Sequence, residues 1–560
     1  MTTLAHTGPI SSVDAYASYV ATAGYDNRVI LWNADTRTAL SQGRHDHLVN
    51  HCEFSHDGRY LATASSDYSA RIWEVPGMRL TCVLAGHQDD VDMASFSPDD
   101  QLIATCALDR VIRIFDIRGQ LLKALHGHTG NIISVRWTDD GKKLVSSSVD
   151  GTVREWCVET GEQLVCHNMD AVRTDTTVFD SEGRILAGDD RGRIAIISGD
   201  SIQYVQAHQA GVKKLVYSNQ RGILASLSYD RSLVIWKSDD AGDLSELIRT
   251  EIPEIIWSRA AAVLDDDRLV VGTFGTCYAV YDWTKNIWNV EGITAGNGIN
   301  AVTIHQGKVL TVGDTGIVHA DGLAIADTGS LCNFLLSAGS NVFTGGQLGQ
   351  LFNACTGEVL HQHRSPINCG VYFIRDRSPH IAIGTYTGEV LVFKISDDGK
   401  ISFLSELSVF DNAIKGLTTA GNRIFAVCAS TDIAWIDNAS LSVMNKIPHA
   451  HEKIVNACSV AGKDGFASVG RDRTLRLWMN DVQEIYQSPH KNSVKSLCVS
   501  ADGKTLMTGS YGGTVAGFDL KTRSWTSFIR PTTAGISSIA YDEQNHCFLA
   551  AAYDGSLHVI

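Results

Sequence analysis

An all-β chain assembled from many copies of one short unit is what this sequence predicts, and three observations carry the prediction. Of 560 residues, 50 are Gly and only 9 are Pro. Tight turns are therefore frequent and Pro breaks scarce, which points to sheet rather than helix. Short runs such as "SVRWT", "KLVSSS" and "TVREW" alternate with period two, and "DG" or "DR" after each supplies a hairpin turn. Finally, the unit recurs with its spacing kept.

Take Asp150 as the anchor: Trp156 lies six residues on, Ser146 four back and His128 twenty-two back. The same offsets return, within two residues, as His6, Thr22, Asp26 and Trp32, and as His45, Thr63, Asp67 and Trp73. They return as His87, Thr105 and Asp109 with Phe115 in the Trp place, then as His208, Ser226, Asp230 and Trp236, and as His451, Ser468, Asp472 and Trp478. Weaker copies fill the gaps, with anchors at 26, 67, 109, 150, 190, 230 and 275, then 315, 348, 387, 429, 472, 512 and 554. The period stays close to forty.

A period of about 40–45 with a Gly-His start and a Trp end marks a four-stranded propeller blade. These residues resemble WD40 repeats along essentially the whole chain, although the terminal "WD" reads "WN", "WE", "FD", "WC", "WK" and "WM". Single rings have about four to eight blades, so fourteen repeats imply two consecutive seven-bladed WD40 β-propellers. The expected domains are residues 1–284 and 285–560. The simplest closure lets "TTLA" before His6 complete the seventh blade, while "NIWNVEG" completes the fourteenth; the alternative gives the N-terminal strand to blade fourteen. The segment 237–256 is the longest excursion beyond the pattern and is expected to be an extended loop.

Physical chemistry gives the anchors a role. The Asp accepts from the His, the His meets the Ser or Thr hydroxyl, and the hydroxyl meets the indole N–H. A fully satisfied buried network of this kind locks the register of each blade.

Charge and composition narrow the function. The net charge is −15, against a nucleic-acid-binding surface. Residues 1–283 carry 26 Lys and Arg against 39 Asp and Glu, the remainder 21 against 23, a mild bias of the first ring towards basic partner segments. "MTTLAHTGPI" lacks a basic n-region and an apolar run, and no segment reaches the roughly 18 apolar residues of a membrane span. Thirteen Cys without a CxxC pair read as reduced thiols that pack as small hydrophobes. A cytoplasmic location without membrane or nucleic-acid contact is expected.

Catalytic and metal chemistry find little purchase. His45, His47, His51 and Cys52 crowd within eight residues, but paired His recur at the same repeat position at 126–128, 361–363 and 449–451, so the fold explains them better than a metal does. Each His–hydroxyl–Asp set resembles a hydrolase triad, yet six copies with no G-x-S-x-G elbow speak for structure. "TGGQLGQLF" lacks the following Lys-Ser/Thr of a phosphate loop. No catalytic residue, metal or cofactor is expected.

A non-catalytic scaffold that assembles or regulates a multiprotein complex is the leading reading; a propeller enzyme or small-ligand or metal sensor using a central channel is the alternative. The resemblance implies docking on the ring's narrower face, where the residue before each anchor caps a turn. Tyr25, Tyr229, Phe274, Tyr386, Arg471, Tyr511 and Tyr553 hold this place. Tyr and Arg dominate interface energies, so these are the candidate partner-binding residues. Tyr386, Arg471, Tyr511 and Tyr553 are expected to form one patch on the second ring.

Overall fold

In the computed structural model, which describes residues 4–238, 243–462, 465–479 and 482–560, the strands form fourteen antiparallel sheets in simple sequential order. Thirteen have four strands, and the last has three among the described residues. The first sheet runs Ile10–Tyr16, Tyr19–Gly24, Arg28–Asn33 and Ala39–Arg44, and the others repeat this meander. The chain divides into two compact units, Met1–Gly296 and Asn297–Ile560. Each is a seven-bladed propeller.

Burial explains the order of strands. The second strand is almost wholly buried, as in Tyr19–Gly24, while the fourth alternates with solvent, as in Ala39–Arg44. Apolar side chains from adjacent sheets then interlock, so the core consists of wedges between blades. Ala21, Val29 and Leu31 of blade one meet Val49, Phe54 and Trp73 of blade two in one such wedge. Val371 and Val392 of blade ten meet Ile414 and Ile424 of blade eleven in another.

The rings close in the same way. Ile10, Val13 and Trp32 of blade one pack on Ala260, Val270 and Tyr278 of blade seven. In the second unit Val302 of blade eight packs on Ala540, Leu549 and Ala551 of blade fourteen.

Three expectations change. The fourth strand of blade seven is Ile287–Asn289, paired with Ala279–Asp282; "NIWN" therefore completes its own blade rather than the fourteenth, and the boundary moves from 284 to 296. The N-terminal segment nevertheless meets blade seven: the His6 N–H donates to the Thr276 carbonyl at 3.0 Å, and Leu4 packs into the wedge between blades seven and one. Of "TTLA", Thr2 and Thr3 lie outside the described residues, as does the preceding Met1, whereas Leu4 and Ala5 lie within them. The excursion 237–256 is not a loop, because Leu244–Glu251 pairs with Ser232–Ser238 as the fourth strand of blade six. Its outer, half-solvated position removed the apolar signal that would have marked it.

In every blade but the seventh, the turn after the second strand holds a left-handed residue. Asn27, Tyr68, Arg110, Arg231 and Arg473 adopt φ of 59–69° there, and Gly fills the place in blades such as four and thirteen. At blade eleven it is Thr431, with φ 80°, a region that β-branched residues resist. Thr431→Gly is expected to stabilise the protein by about 1 kcal/mol, seen as a higher urea midpoint. A lower midpoint would mean that the 3.4 Å contact of its hydroxyl with His449 outweighs the strain.

Candidate functional site

Two sets of side chains stand out in each blade: the buried polar network and the residues around the mouth of the channel. In blade four His128 Nδ1 lies 2.8 Å from Asp150, its Nε2 2.8 Å from Ser146 Oγ, and the Trp156 indole donates to Ser146 at 2.8 Å. His6 joins Asp26 at 3.0 Å and Thr22 at 2.7 Å, with Trp32 donating to Thr22 at 2.7 Å. His45, Asp67, Thr63 and Trp73 are linked at 2.8–2.9 Å. His451, Asp472, Ser468 and Trp478 are linked at 2.7–2.9 Å. His87 joins Asp109 at 3.1 Å and Thr105 at 2.8 Å, and Phe115 leaves that hydroxyl without an indole.

Blade six departs from the expected pairing. His208 Nδ1 sits 2.7 Å from Ser232 Oγ and 3.4 Å from Asp230, while Ser232 donates to Asp230 at 2.6 Å; Trp236 still donates to Ser226 at 2.8 Å. The serine inserts itself between acid and imidazole.

Two further parts escaped the sequence reading. Blade thirteen has a seventh, acid-free set in which His490 meets Thr508 at 2.9 Å and Thr514 at 2.7 Å; the eighteen-residue step from His490 to Thr508 was its signal. An Arg four residues after the anchor also reaches the carboxylate, as Arg71 to Asp67 at 3.0 Å, Arg113 to Asp109 at 2.7 Å and Arg476 to Asp472 at 3.1 Å.

Electrostatics follow from this geometry. Burial pushes His45, His87 and His451 down, against the pull of their acids, and carries His490, which has no acid, down to about 4. Burial alone would raise the acids, but the bond from the imidazole and from backbone amides outweighs it and holds Asp109, Asp230 and Asp472 at about 2. The hydroxyls of Thr22, Thr63, Thr105, Ser146, Ser226 and Ser468 belong to residues with no solvent exposure, so an incoming substrate has no path to them.

The His-Cys cluster of blade two is split by the same logic. His45 belongs to the network, His47 Nδ1 accepts from the Leu48 amide at 2.8 Å, and His51 and Cys52 lie buried in the inner strand Val49–Phe54. All thirteen cysteines are free thiols.

The mouth is built by the backbone. The residue before each anchor donates its N–H to the carbonyl just ahead of the inner strand: Tyr25 to Pro9, Tyr229 to Gly211, Phe274 to Ile255, Tyr386 to Pro366, Arg471 to Ile454, Tyr511 to Ser493 and Tyr553 to Gly535. Each turn tip is thereby tied to the channel side of its blade.

One residue further on, the inner strand carries a β-bulge, for example between Ile299 and Ala301, and a bulge re-aims its side chain. That side chain turns to the tip or to the next blade. Asn300 donates to the tip residue Asp314 at 2.9 Å and to the Cys332 carbonyl of blade nine at 3.1 Å. Asn50, Asn333, Asn368 and Asn456 reach the corresponding carbonyl of the next blade at 2.8–3.1 Å, as do Ser11 and Ser537. Ser537 makes its bond to Ile299 and so latches blade fourteen to blade eight.

The candidate tips divide between the rings. Phe274 is 5% exposed and packs on Trp257 at 5.5 Å, which meets Tyr25 edge-on at 5.1 Å. Phe274 is therefore part of the interior, because blade seven folds its tip under a neighbouring indole. Tyr229 lies under Lys213 at 4.9 Å. In the second unit Tyr511 and Tyr553 stack at 6.1 Å, Lys415 stands 5.3 Å over Tyr386, and all three tyrosines and Arg471 are half-buried.

A family model for the WD domain, G-beta repeat, matches residues 1–33, 39–74, 78–116, 119–157 and 483–519. The chain carries WD40 repeats. Over 251 residues it is 27% identical to a guanine nucleotide-binding protein subunit beta of Oryza sativa subsp. indica, covering 39% of this chain and 66% of that protein. It is 25% identical over 251 residues to a guanine nucleotide-binding protein subunit beta-like protein of Encephalitozoon cuniculi (strain GB-M1), covering 38% and 74%. It is 23% identical over 265 residues to the transcriptional corepressor LEUNIG_HOMOLOG of Arabidopsis thaliana, covering 39% and 33%. The WD40 chain thus spans just under two thirds of the first of these relatives and a third of the last.

The WD40 networks generate two expectations. Asp150→Ala or Asp472→Ala should destabilise the fold by several kcal/mol, at about 1–3 kcal/mol for each buried group left unsatisfied, as measured by chemical denaturation. Carboxyls held at about 2 in the fold and 3.8 outside it contribute stability that is complete above pH 4 and lost as pH falls towards 2. Asp472→Asn should therefore flatten the melting-temperature profile in that window; an unchanged slope would remove the acid from the account.

Proposed function

We propose that this WD40 protein is a non-catalytic scaffold that assembles or regulates a multiprotein complex through its propeller faces. One observation carries the reading: the stacked Tyr511–Tyr553 pair is held at the mouth of the second unit by backbone bonds that recur from blade to blade, yet stays partly open to solvent. Paired aromatic rings offer a large contact area with little rotamer entropy to lose, and such side chains anchor interfaces. Relatives described as a G-protein subunit and as a corepressor support protein partners as a class.

The surfaces of the two units differ in what they offer. The first has aromatic tips already used against Trp257 and an acidic excess that favours basic segments. The second has the accessible tyrosines and is the better candidate for a hydrophobic contact. The test is a Tyr511→Ala, Tyr553→Ala double variant, shown to be folded by circular dichroism, in an affinity purification read by mass spectrometry. Loss of the stoichiometric partners that the unaltered chain recovers is the expected result. Full recovery would exclude the mouth as the docking site.

A further inference from the structure

The inner strands of the first unit bring charged side chains together in its central channel. In blades one to six, the residues two and four places after the first of each inner strand lie along the edge of the next blade. From blade one, Ser12 accepts from the Cys52 amide at 3.2 Å and Asp14 from the Phe54 amide at 2.7 Å. From blade two, Glu53 accepts from the Phe96 amide at 3.0 Å and from the Ser95 hydroxyl at 2.8 Å. From blade five, Thr176 accepts from the Leu215 amide at 3.2 Å. Arg136 of blade four donates to Glu53 at 2.5 Å, past the whole of blade three, and blade six carries Lys214 at the first of the two positions.

Capping a strand edge does not require charge, since the hydroxyls of Ser12 and Thr176 do it. Nor does closing a ring. At the same positions of the second unit no inner strand carries a charged residue; blades eight and eleven have Ala301 with Thr303 and Gly416 with Thr418. Within the first channel the charges are unevenly matched. Glu53 and Arg136 satisfy each other. Among the described residues neither Lys214 nor Asp14 has an opposite charge within ion-pair distance, although each lies in the field of the other. Burial, and after it the Arg136 charge, pulls the ammonium down to about 8, while burial and then the Glu53 charge push the carboxyl up to about 6. His51 holds the place in blade two that Lys214 holds in blade six. It is 8% exposed, its Nδ1 has no hydrogen-bond partner, and the charges of Lys214 and Arg136 act on it. Arg136 and Glu53 keep side-chain exposures of 27% and 15%, so solvent reaches the cluster.

We infer that the channel of the first propeller binds a small zwitterion of the amino-acid class, its carboxylate on Lys214 and its ammonium on Asp14. Charge complementarity selects this ligand. A plain anion would match Lys214 but crowd Asp14 and Glu53, and a plain cation would match Asp14 but be repelled by Lys214 and Arg136. A zwitterion supplies both missing charges and leaves the net charge of the channel unchanged. Two buried groups thereby gain charge-assisted hydrogen bonds at once, and the low-dielectric walls strengthen both. Enclosure with a few convergent polar groups is the form of a small-ligand site, and His51 offers one polar group more. The inference goes beyond the scaffold reading and does not depend on it, since it concerns the channel of the first unit and a different class of ligand.

Thermal melting and isothermal titration of the full chain with the common L-amino acids, β-alanine and γ-aminobutyrate test this. At least one should raise the melting temperature and titrate saturably. Its N-acetyl derivative, which lacks the ammonium, and its amide, which lacks the carboxylate, should do neither. Lys214→Met and Asp14→Asn keep the side-chain shape and, once shown to be folded by circular dichroism, should each weaken binding by about tenfold or more. The Tyr511→Ala, Tyr553→Ala variant alters only the second unit and should bind as the unaltered chain does. No binding by any of these zwitterions overturns the inference, as does equal binding of either derivative, a comparison made on the unaltered chain and so decisive even where a variant fails to fold. Binding unchanged in Lys214→Met or Asp14→Asn, or lost with the tyrosine pair, overturns it too.

Discussion

Because each sheet is covered on both faces by its neighbours, no blade of this protein owns a core, and everything else in the fold answers to that constraint. A four-stranded meander of some forty residues buries too little apolar surface alone to offset the entropy of ordering it. The wedge between blades does that work, as where Phe425 of blade eleven stacks on Phe466 of blade twelve at 4.8 Å. A ring gives every blade two neighbours. It also explains why closure matters: Val302 against Ala540 and Leu549 is the same contact as any other wedge, made between sheets far apart in sequence.

Inter-blade packing by itself would tolerate sliding, since apolar wedges are not directional. Direction comes from hydrogen bonds that cross from one blade to the next at the inner strand. The bulge lets a single side chain leave the pleat and reach a carbonyl of the adjacent sheet, as Asn368 does to Ile414 at 2.8 Å. Within a blade, the His–hydroxyl–Asp–Trp chain ties the approach to the inner strand to the second and third strands. Buried polar groups are costly unless satisfied, so each chain acts as a register lock whose failure is expensive.

The parts that were legible in the sequence are those that need particular side chains. The period, the network of blades one to four, and the count of two sevens all follow from His, Ser or Thr, Asp and Trp at fixed steps. Outer strands were not legible, because they need only a pairing edge. Ile287–Asn289 is three residues long and follows a polar turn, and Leu244–Glu251 alternates between solvent and a thin apolar cover. The tips were legible as positions but not as environments: Phe274 and Tyr553 occupy equivalent places, and only packing decides that one is interior and the other lies at an open mouth. The Asn latches had a signal in "VN", "IN" and "CN" at the start of inner strands, but an Asn beside a turn reads as turn chemistry until the neighbouring blade is in place.

The second propeller, whose repeats look worn, shows which of these devices the fold cannot give up. Blades eight, nine, ten, eleven and fourteen lack the His–Asp chain in the sequence, yet each keeps the backbone bond that fixes its tip, from Asp314 to Gly298, Gln347 to Leu331, Tyr386 to Pro366, Ala429 to Ala413 and Tyr553 to Gly535. Four of the five also keep a bulged Asn or Ser latched to the next blade, through Asn300, Asn333, Asn368 and Ser537. The exception is blade eleven, where the latch position holds Lys415, one of the cations at the mouth; in blade thirteen Lys495 takes the same place. A lysine there puts a charged ammonium beside the channel where the other blades of this ring carry an amide or a hydroxyl. The second ring therefore departs from its own latch pattern at two blades, and at both the departure is to a lysine, so the tip bond is the device that every worn blade retains.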